Sequence, residues 1–219
     1  MYVAVEGVIG VGKTSLARLL QSSFDAALLL EVFEENPFLS NFYQDRARYA
    51  FQTQIFFLLS RYHQQHRSVP EALSSQKTLI SDYTFDKDAL FARINLSGDE
   101  LEMYYRVHEA LAEKIPAPDL LVYLRASTDT LMKRITTRDR SYERAMERDY
   151  IASLGKAYDD FFLPKSGQSN ILLIDSDELD FVHNPADLDW MENRIRQTLH
   201  LPPFQPELPI SGAIPQPGG

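Results

Sequence analysis

A glycine-rich loop lies between an apolar run and an amphipathic segment near the start of the sequence. Residues 7–14 read Gly-Val-Ile-Gly-Val-Gly-Lys-Thr and fit the pattern G-x-x-x-x-G-K-[ST] at every position. The run from Val3 to Glu6 is typical of a buried strand, and the segment from Lys13 to Ser22 has helical apolar spacing. Glycines let successive backbone N–H groups point inward, and the helix adds its positive dipole end. The sequence therefore predicts a phosphate-binding loop between the first strand and the first helix.

The loop residues have expected tasks in binding a nucleoside triphosphate. Lys13 would neutralise β- and γ-phosphate oxygens, and Thr14 would offer its hydroxyl to Mg²⁺, which bridges the same oxygens. We therefore expect ATP as the phosphate donor and Mg²⁺ as the metal cofactor. The residues expected to contact the triphosphate are Gly7, Gly10, Val11, Gly12, Lys13, Thr14 and Ser15.

The rest of the chain alternates strand-like apolar runs with helical segments. Further strands are expected at Ala27–Val32, Thr78–Ser81, Leu120–Leu124 and Ile171–Ile174, and a long helix at about 45–67. Such alternation predicts a parallel sheet with helices on both faces and ligands at the carboxyl ends of the strands. We predict a three-layer α/β fold of the P-loop NTPase type, with one domain at 1–201 and an extended Pro/Gly-rich tail at 202–219.

Acidic side chains lie at the carboxyl ends of two of these predicted strands. A kinase that acts on a hydroxyl needs a carboxylate near the attacking oxygen. Glu31 is the expected catalytic base, because its strand is expected beside the first strand, so that Glu31 would face the loop across the cleft. Asp82 is expected to be a catalytic residue whose carboxylate holds Mg²⁺ or its bound water. The alternative for Glu31 is a solvated acid at a strand end.

Arginines cluster after the fourth strand. The spacing of Arg134, Arg138 and Arg140 places two guanidinium groups on one helical face and a third at its end. Guanidinium groups suit the charge spread over phosphoryl oxygens, so we expect an Arg-rich lid in which Arg134 and Arg138 bind the donor and Arg138 assists catalysis. The alternative is a solvated helix that forms i,i+4 pairs with Glu143 and Glu147.

Charge and hydropathy limit the expected partners. The 219 residues carry a formal charge of −9 without a continuous basic stripe, which argues against nucleic acid as a partner. The most apolar stretch, Ile55–Leu59, is too short to span a bilayer. Because the first strand leaves no room for an export signal, we expect a soluble, cytoplasmic protein without a membrane partner.

Two further segments match motifs of a known family. Residues 31–39 read Glu-Val-Phe-Glu-Glu-Asn-Pro-Phe-Leu. They resemble the segment E-P-V-E-E-N-P-Y-L of the deoxynucleoside kinase family, in particular of its bacterial deoxyguanosine and deoxyadenosine kinases, and the first Glu of that segment takes the proton of the 5′-hydroxyl. Residues 131–143 resemble the lid L-x-x-R-I-x-x-R-G-R-x-x-E, whose arginines close over the phosphates. The resemblance extends from the phosphate loop to about Asp175, and Val32 and Asp139 depart from it.

The resemblance also implies roles for residues at the acceptor and donor. In the family, a Tyr at the place of Tyr43 bonds the sugar 3′-hydroxyl, and the lid Glu at the place of Glu143 touches the same hydroxyl. A Gln at the place of Gln54 bonds the base edge, and an Arg at the place of Arg61 borders the base. The loop at Asp175 resembles the one that packs near the donor adenine.

One segment departs from the family pattern. Many members carry E/D-R-S where this chain has Asp82-Tyr83-Thr84, and we hypothesise that Lys87 supplies the missing positive charge. A similar D-Y-x-x-x-K arrangement occurs in bacterial deoxyguanosine kinase-like members, which favours a purine acceptor without separating guanine from adenine. The resemblance also implies a homodimer. The alternatives are a thymidylate-type nucleoside monophosphate kinase and a non-catalytic ATP-binding module.

Overall fold

The computed structural model describes residues 1–32, 35–75, 77–165 and 170–204. In this part of the chain, five parallel strands form one sheet in the order β2-β3-β1-β4-β5. The strands are β1 (Tyr2–Gly7), β2 (Ala26–Leu29), β3 (Thr78–Ser81), β4 (Leu120–Arg125) and β5 (Ile171–Asp175). The α-helices are α1 (Lys13–Ser23), α2 (Leu39–Gln44), α3 (Arg46–Ser74), α4 (Lys87–Asn95), α5 (Gly98–Ala112), α6 (Thr128–Arg138), α7 (Arg148–Phe162) and α8 (Pro185–Thr198). The predicted parallel sheet flanked by helices is confirmed.

The central strand β1 carries the phosphate loop at its carboxyl end. All its residues are buried, which explains why its sequence reads as a nearly continuous apolar run. Its register pairs Ala4 with Ser81 of β3 and Val5 with Val122 of β4. Because neighbouring strands are parallel, the segments that follow β1, β2 and β3 emerge at one edge of the sheet. That edge therefore brings the phosphate loop near Glu31 and Asp82.

The expected position of the second strand is wrong in two respects. The strand ends at Leu29 rather than Val32, so Glu31 lies in the following loop. It also pairs with β3 and not with β1, whose two neighbours are β3 and β4. Two of its four residues are only partly buried, whereas β3 is buried except at Thr78. The less buried strand, β2, is the outermost strand of the sheet, because an inner strand requires apolar cover on both faces.

Helix α3 is longer than predicted. It continues past its predicted end at about residue 67 to Ser74 and passes through Pro70. A proline inside a helix costs about 3 kcal/mol or more. The additional turns bury Val69 and Ala72 in a cluster with Tyr2, and this packing offsets the cost.

Two further expectations concern the ends of the chain and the membrane. The predicted tail at 202–219 lies outside the described residues from position 205 onward, and the division at 201 stays a prediction. None of the helices in the described ranges combines the length and apolar character that a membrane span requires.

Candidate active site

A cleft opens above the phosphate loop at the carboxyl edge of the sheet. It encloses about 770 Å³ of space, part of it open to solvent. Its sides are formed by residues of α2, α3, α4 and the segment that follows α6. The predicted site residues that line it are Gly10, Lys13, Thr14, Glu31, Tyr43, Gln54, Arg61, Asp82, Lys87, Arg138 and Glu143. Residues distant in sequence thus meet around one space at the carboxyl ends of the strands, where parallel α/β sheets bind ligands.

A second, more open cavity lies on the other side of the phosphate loop. It is bordered by residues 177–183, which follow β5. The predicted donor-site residues on its surface are Gly10, Val11, Gly12, Ser15, Arg134 and Arg138. Gly7 lines neither cavity but ends β1, and Asp175 ends β5, where its carboxylate accepts the N–H of Asp177 at 3.2 Å. The loop therefore lies between the cleft and this second cavity.

The phosphate loop requires glycine at two positions. Gly10 has a φ of 88° and Gly12 a φ of 106°, in the left-handed region that favours glycine. A Cβ at Gly12 would come within 2.7 Å of Phe181 Cζ, and one at Gly10 within 2.8 Å of Ile135 Cγ1. The loop is therefore packed closely against α6 and the segment after β5, and any side chain at either position would displace it.

Lys13 folds back across the loop. Its ammonium group donates hydrogen bonds to the carbonyl oxygens of Gly7 at 2.8 Å and Val8 at 3.1 Å. Burial and the nearby charge of Lys87 lower the pKa of Lys13 to about 8, although nearby carboxylates, Glu6 first among them, act in the opposite direction. The ammonium group thus lies half-buried at the floor of the cleft, where its charge acts more strongly on an anion than it would in bulk water.

Asp82 joins the phosphate-loop helix to the loop that carries Glu31. The Thr14 hydroxyl donates to Asp82 Oδ2, and the Glu31 N–H donates to Asp82 Oδ1 at 2.8 Å. A hydroxyl and a carboxylate in contact fit Mg²⁺, which binds oxygen ligands and usually shares them with substrate phosphates. No group of three or more His, Cys, Asp or Glu side chains within the described ranges could hold a metal alone. Phosphate oxygens would therefore have to complete the coordination.

The Glu31 carboxylate is held by two cations. Lys87 Nζ donates to Glu31 Oε2 at 2.6 Å, and Arg61 Nε donates to Glu31 Oε1 at 2.9 Å. Burial raises the pKa of Glu31, but Arg61 and Lys87 outweigh it and hold that pKa far below its usual range. Glu31 is therefore an ionised carboxylate at neutral pH.

Arg61 has a second partner that sequence reasoning missed. Its Nη1 donates to Asp88, a carboxylate with no solvent exposure. Asp88 follows Lys87 directly in the sequence, so an acid beside a predicted site lysine was the available signal. The arrangement alternates charges from Lys87 through Glu31 and Arg61 to Asp88, and it fixes the side of α3 that faces the cleft.

Two polar side chains of α3 line the cleft, and each has one buried atom without a hydrogen-bond partner among the described residues. Gln54 is 2% exposed, and its Oε1 accepts no hydrogen bond from the residues that the structure describes. The same holds for the hydroxyl of Thr53, which sequence reasoning missed. Buried polar atoms are normally paired, so this wall is suited to a ligand with polar edges. Tyr43 borders the same space, and burial raises the pKa of its hydroxyl well above the usual value.

The three predicted lid arginines have different surroundings. Arg138 Nη2 lies 2.6 Å from each carboxylate oxygen of Glu143, and Arg140 lies 3.7 Å from the same group. Arg134 instead donates to the carbonyl oxygens of Val11, Ser176 and Leu179 at 3.2, 2.8 and 3.2 Å. Arg138 therefore pairs with Glu143 at the cleft, whereas Arg134 ties the phosphate loop to the segment after β5.

Comparisons with known proteins agree with this geometry. The family model described as "Deoxynucleoside kinase" matches residues 3–200. A deoxyguanosine kinase from Bacillus subtilis is 32% identical over 201 residues, which cover 90% of this chain and 97% of the relative. A deoxyadenosine kinase from Lactobacillus acidophilus is 32% identical over 196 residues, which cover 83% and 88%. The solved structure of deoxyadenosine kinase from M. mycoides with bound dCTP has a TM-score of 0.77 and 25% identity, and the match covers 90% of this chain and 100% of that one. The chain belongs to the deoxynucleoside kinase family.

Proposed function

We propose that this enzyme transfers the γ-phosphate of ATP to the 5′-hydroxyl of a purine deoxynucleoside for nucleotide salvage. The observation that carries the proposal is that Lys13 and Glu31 line one cleft. Asp82 connects them, because it accepts hydrogen bonds from the Thr14 hydroxyl, next to Lys13, and from the Glu31 N–H. Relatives at 32% identity are named deoxyguanosine and deoxyadenosine kinases, which supports a purine acceptor.

The donor side of the proposal concerns charge. The triphosphate would lie along residues 7–15, with Lys13 and Arg138 balancing the negative charge that develops on the phosphoryl oxygens. Thr14 and Asp82 would hold Mg²⁺, which offsets charge on the β- and γ-phosphate oxygens when bound. Arg134 would act on the donor by holding the loop in place, because its guanidinium group is bonded to backbone carbonyls.

The acceptor side of the proposal concerns proton transfer. Glu31 would orient the 5′-hydroxyl and accept its proton as the bond to phosphorus forms. Oε1 of Glu31 accepts two hydrogen bonds from Arg61, whereas Oε2 accepts one from Lys87, so the hydroxyl would approach Glu31 at Oε2 and compete there with Lys87. Lys87 is the simpler donor to displace, because Arg61 is also held by Asp88. The released ammonium group would then be free to meet the transferring phosphoryl group.

The remaining contacts are proposed for recognition of the acceptor. Tyr43 and Glu143 would bond the sugar 3′-hydroxyl, and Gln54 would read the base edge beside Arg61. We also propose a cytoplasmic homodimer. Two exposed apolar side chains on neighbouring helices support a dimer. They are Leu59 on α3, which is 42% exposed, and Met103 on α5, which is 57% exposed.

A screen of ADP release tests the acceptor class. Each of the four deoxynucleosides and their 5′-monophosphates is supplied with ATP and Mg²⁺, and ADP formation is measured. We expect deoxyguanosine or deoxyadenosine to stimulate release most strongly. Stimulation by monophosphates alone would instead identify a thymidylate-type kinase, and ATP binding without any stimulated release would indicate a binding module.

A further inference from the structure

We propose that Glu6 is a positioning residue for phosphoryl transfer, which holds the phosphate loop at a fixed distance from the turn between Asp82 and Lys87. The inference rests on the proposed function and deepens it. Glu6 lies on β1 directly before Gly7, is completely buried, and lines neither the cleft nor the second cavity beside the phosphate loop. Its carboxylate therefore acts through its neighbours.

The Glu6 carboxylate collects hydrogen bonds from three separate segments. Oε1 accepts the Thr84 N–H at 2.6 Å and the Thr84 hydroxyl at 3.0 Å. Oε2 accepts the Gly7 N–H at 3.1 Å and the Tyr158 hydroxyl of α7 at 3.2 Å. A carboxylate offers about four acceptor positions, so these donors fill its capacity. One side chain thus joins the start of the phosphate loop, the turn after β3 and helix α7.

A buried carboxylate at this position is costly for stability. Burial raises the pKa of Glu6, and it is opposed by the charges of Lys87 and Lys13 and by the hydrogen bonds. An apolar side chain of similar volume would avoid the cost of removing a charge from water. A fully buried carboxylate near the end of an otherwise apolar strand therefore indicates a requirement for position rather than for stability.

The position of Thr84 bears on both sides of the reaction. Thr84 lies between Asp82, which contacts Thr14 and the Glu31 backbone, and Lys87, which contacts the Glu31 carboxylate. A shift of the turn would move the proposed metal ligand and the proposed cation together. Misplacement of reacting groups by about 1 Å can lower a rate by about 100-fold. Glu6 thereby sets the distance between the donor and the acceptor without touching either.

The test compares Glu6→Gln with the same substitution at another buried acid. Glutamine keeps the shape but presents an N–H group to donors that need an acceptor. We expect kcat to fall about 10- to 100-fold, with KM for ATP and for the best acceptor within about threefold of wild type. Thr84→Val removes one donor to Glu6 and should lower kcat in the same sense by a smaller factor. Glu192→Gln is the control, because Glu192 is buried beside Arg196 on α8. It should lower Tm and leave kcat unchanged.

Amide hydrogen exchange gives a result that does not depend on the acceptor. In Glu6→Gln, residues 82–87 should exchange faster than in wild type, while β4 and β5 should not change. Unchanged exchange at 82–87, or a kcat within twofold of wild type, would overturn the positioning role. A fall in kcat that Glu192→Gln reproduces at equal loss of Tm would overturn it as well. If wild type has no acceptor-dependent turnover, the proposed function fails. The exchange result then still shows whether Glu6 holds the turn at residues 82–87 in place.

Discussion

Replacing Lys87 by Met removes a charge from the cleft while nearly preserving side-chain length. Lys87 is 5% exposed, and its Nζ lies 2.6 Å from Glu31 Oε2. In the proposed mechanism this ammonium group leaves Glu31 for the phosphoryl group when the acceptor binds. The variant therefore separates a catalytic cation from one that only neutralises Glu31.

The magnitude follows from what remains after the substitution. Breaking a buried ion pair costs about 3–5 kcal/mol when the remaining charge has no other partner. Glu31 keeps Arg61, so we expect a smaller loss in the free energy of unfolding, about 1.5–3 kcal/mol for one charged hydrogen bond. Loss of a donor aimed at developing transition-state charge costs about 2.7–4 kcal/mol, so kcat should fall about 100- to 1,000-fold.

Steady-state ADP release and urea unfolding measure the two effects separately. Lys156→Met is the matched control, because Lys156 is an exposed lysine on α7 that does not line the cleft. It should leave kcat, KM and the free energy of unfolding close to wild type. If Lys87→Met leaves both kcat and KM unchanged, Lys87 does not supply the positive charge, and the reasoning is wrong.

Three further results follow from the donor side. Because the pKa of Lys13 is about 8, kcat/KM for ATP should fall as pH rises through that value and Lys13 loses its proton; a pH profile flat to pH 9.5, about 1.5 units higher, would contradict this. Gly12→Ala places a Cβ 2.7 Å from Phe181 Cζ at a φ of 106°, so KM for ATP should rise about tenfold or more in initial-rate assays. Arg138→Ala removes a cation that faces the cleft and should lower kcat about 100-fold, whereas Arg144→Ala, at an exposed pair with Asp139, should not change it.

Local sequence patterns predicted the elements that carry the site. The phosphate loop could be located because its glycines, lysine and threonine occupy fixed positions after an apolar run. Asp82 could be located because parallel strands end at one edge, so an acid after a strand falls there. These inferences needed only the chain near each residue.

Adjacency of strands and pairing of charges could not be predicted in the same way. The place of β2 at the sheet edge depends on how much cover each strand receives from helices, which is a property of the whole fold. The continuation of α3 through Pro70 depends on packing against Tyr2 and Leu79. Spacing placed Arg134 and Arg138 together on α6, but Arg134 donates to carbonyl oxygens of the segment after β5, whereas Arg138 donates to Glu143.

The behaviour of Glu31→Gln tests the central claim most directly. The substitution removes the proposed proton acceptor but keeps a side chain of the same shape beside Arg61 and Lys87. Acceptor-dependent ADP release and ATP affinity by calorimetry are measured on the same preparation. The proposed mechanism predicts a fall in kcat of about 1,000-fold or more with the Kd for ATP within about threefold of wild type. A kcat within tenfold of wild type, at unchanged ATP affinity, would contradict the assignment of Glu31 as the base.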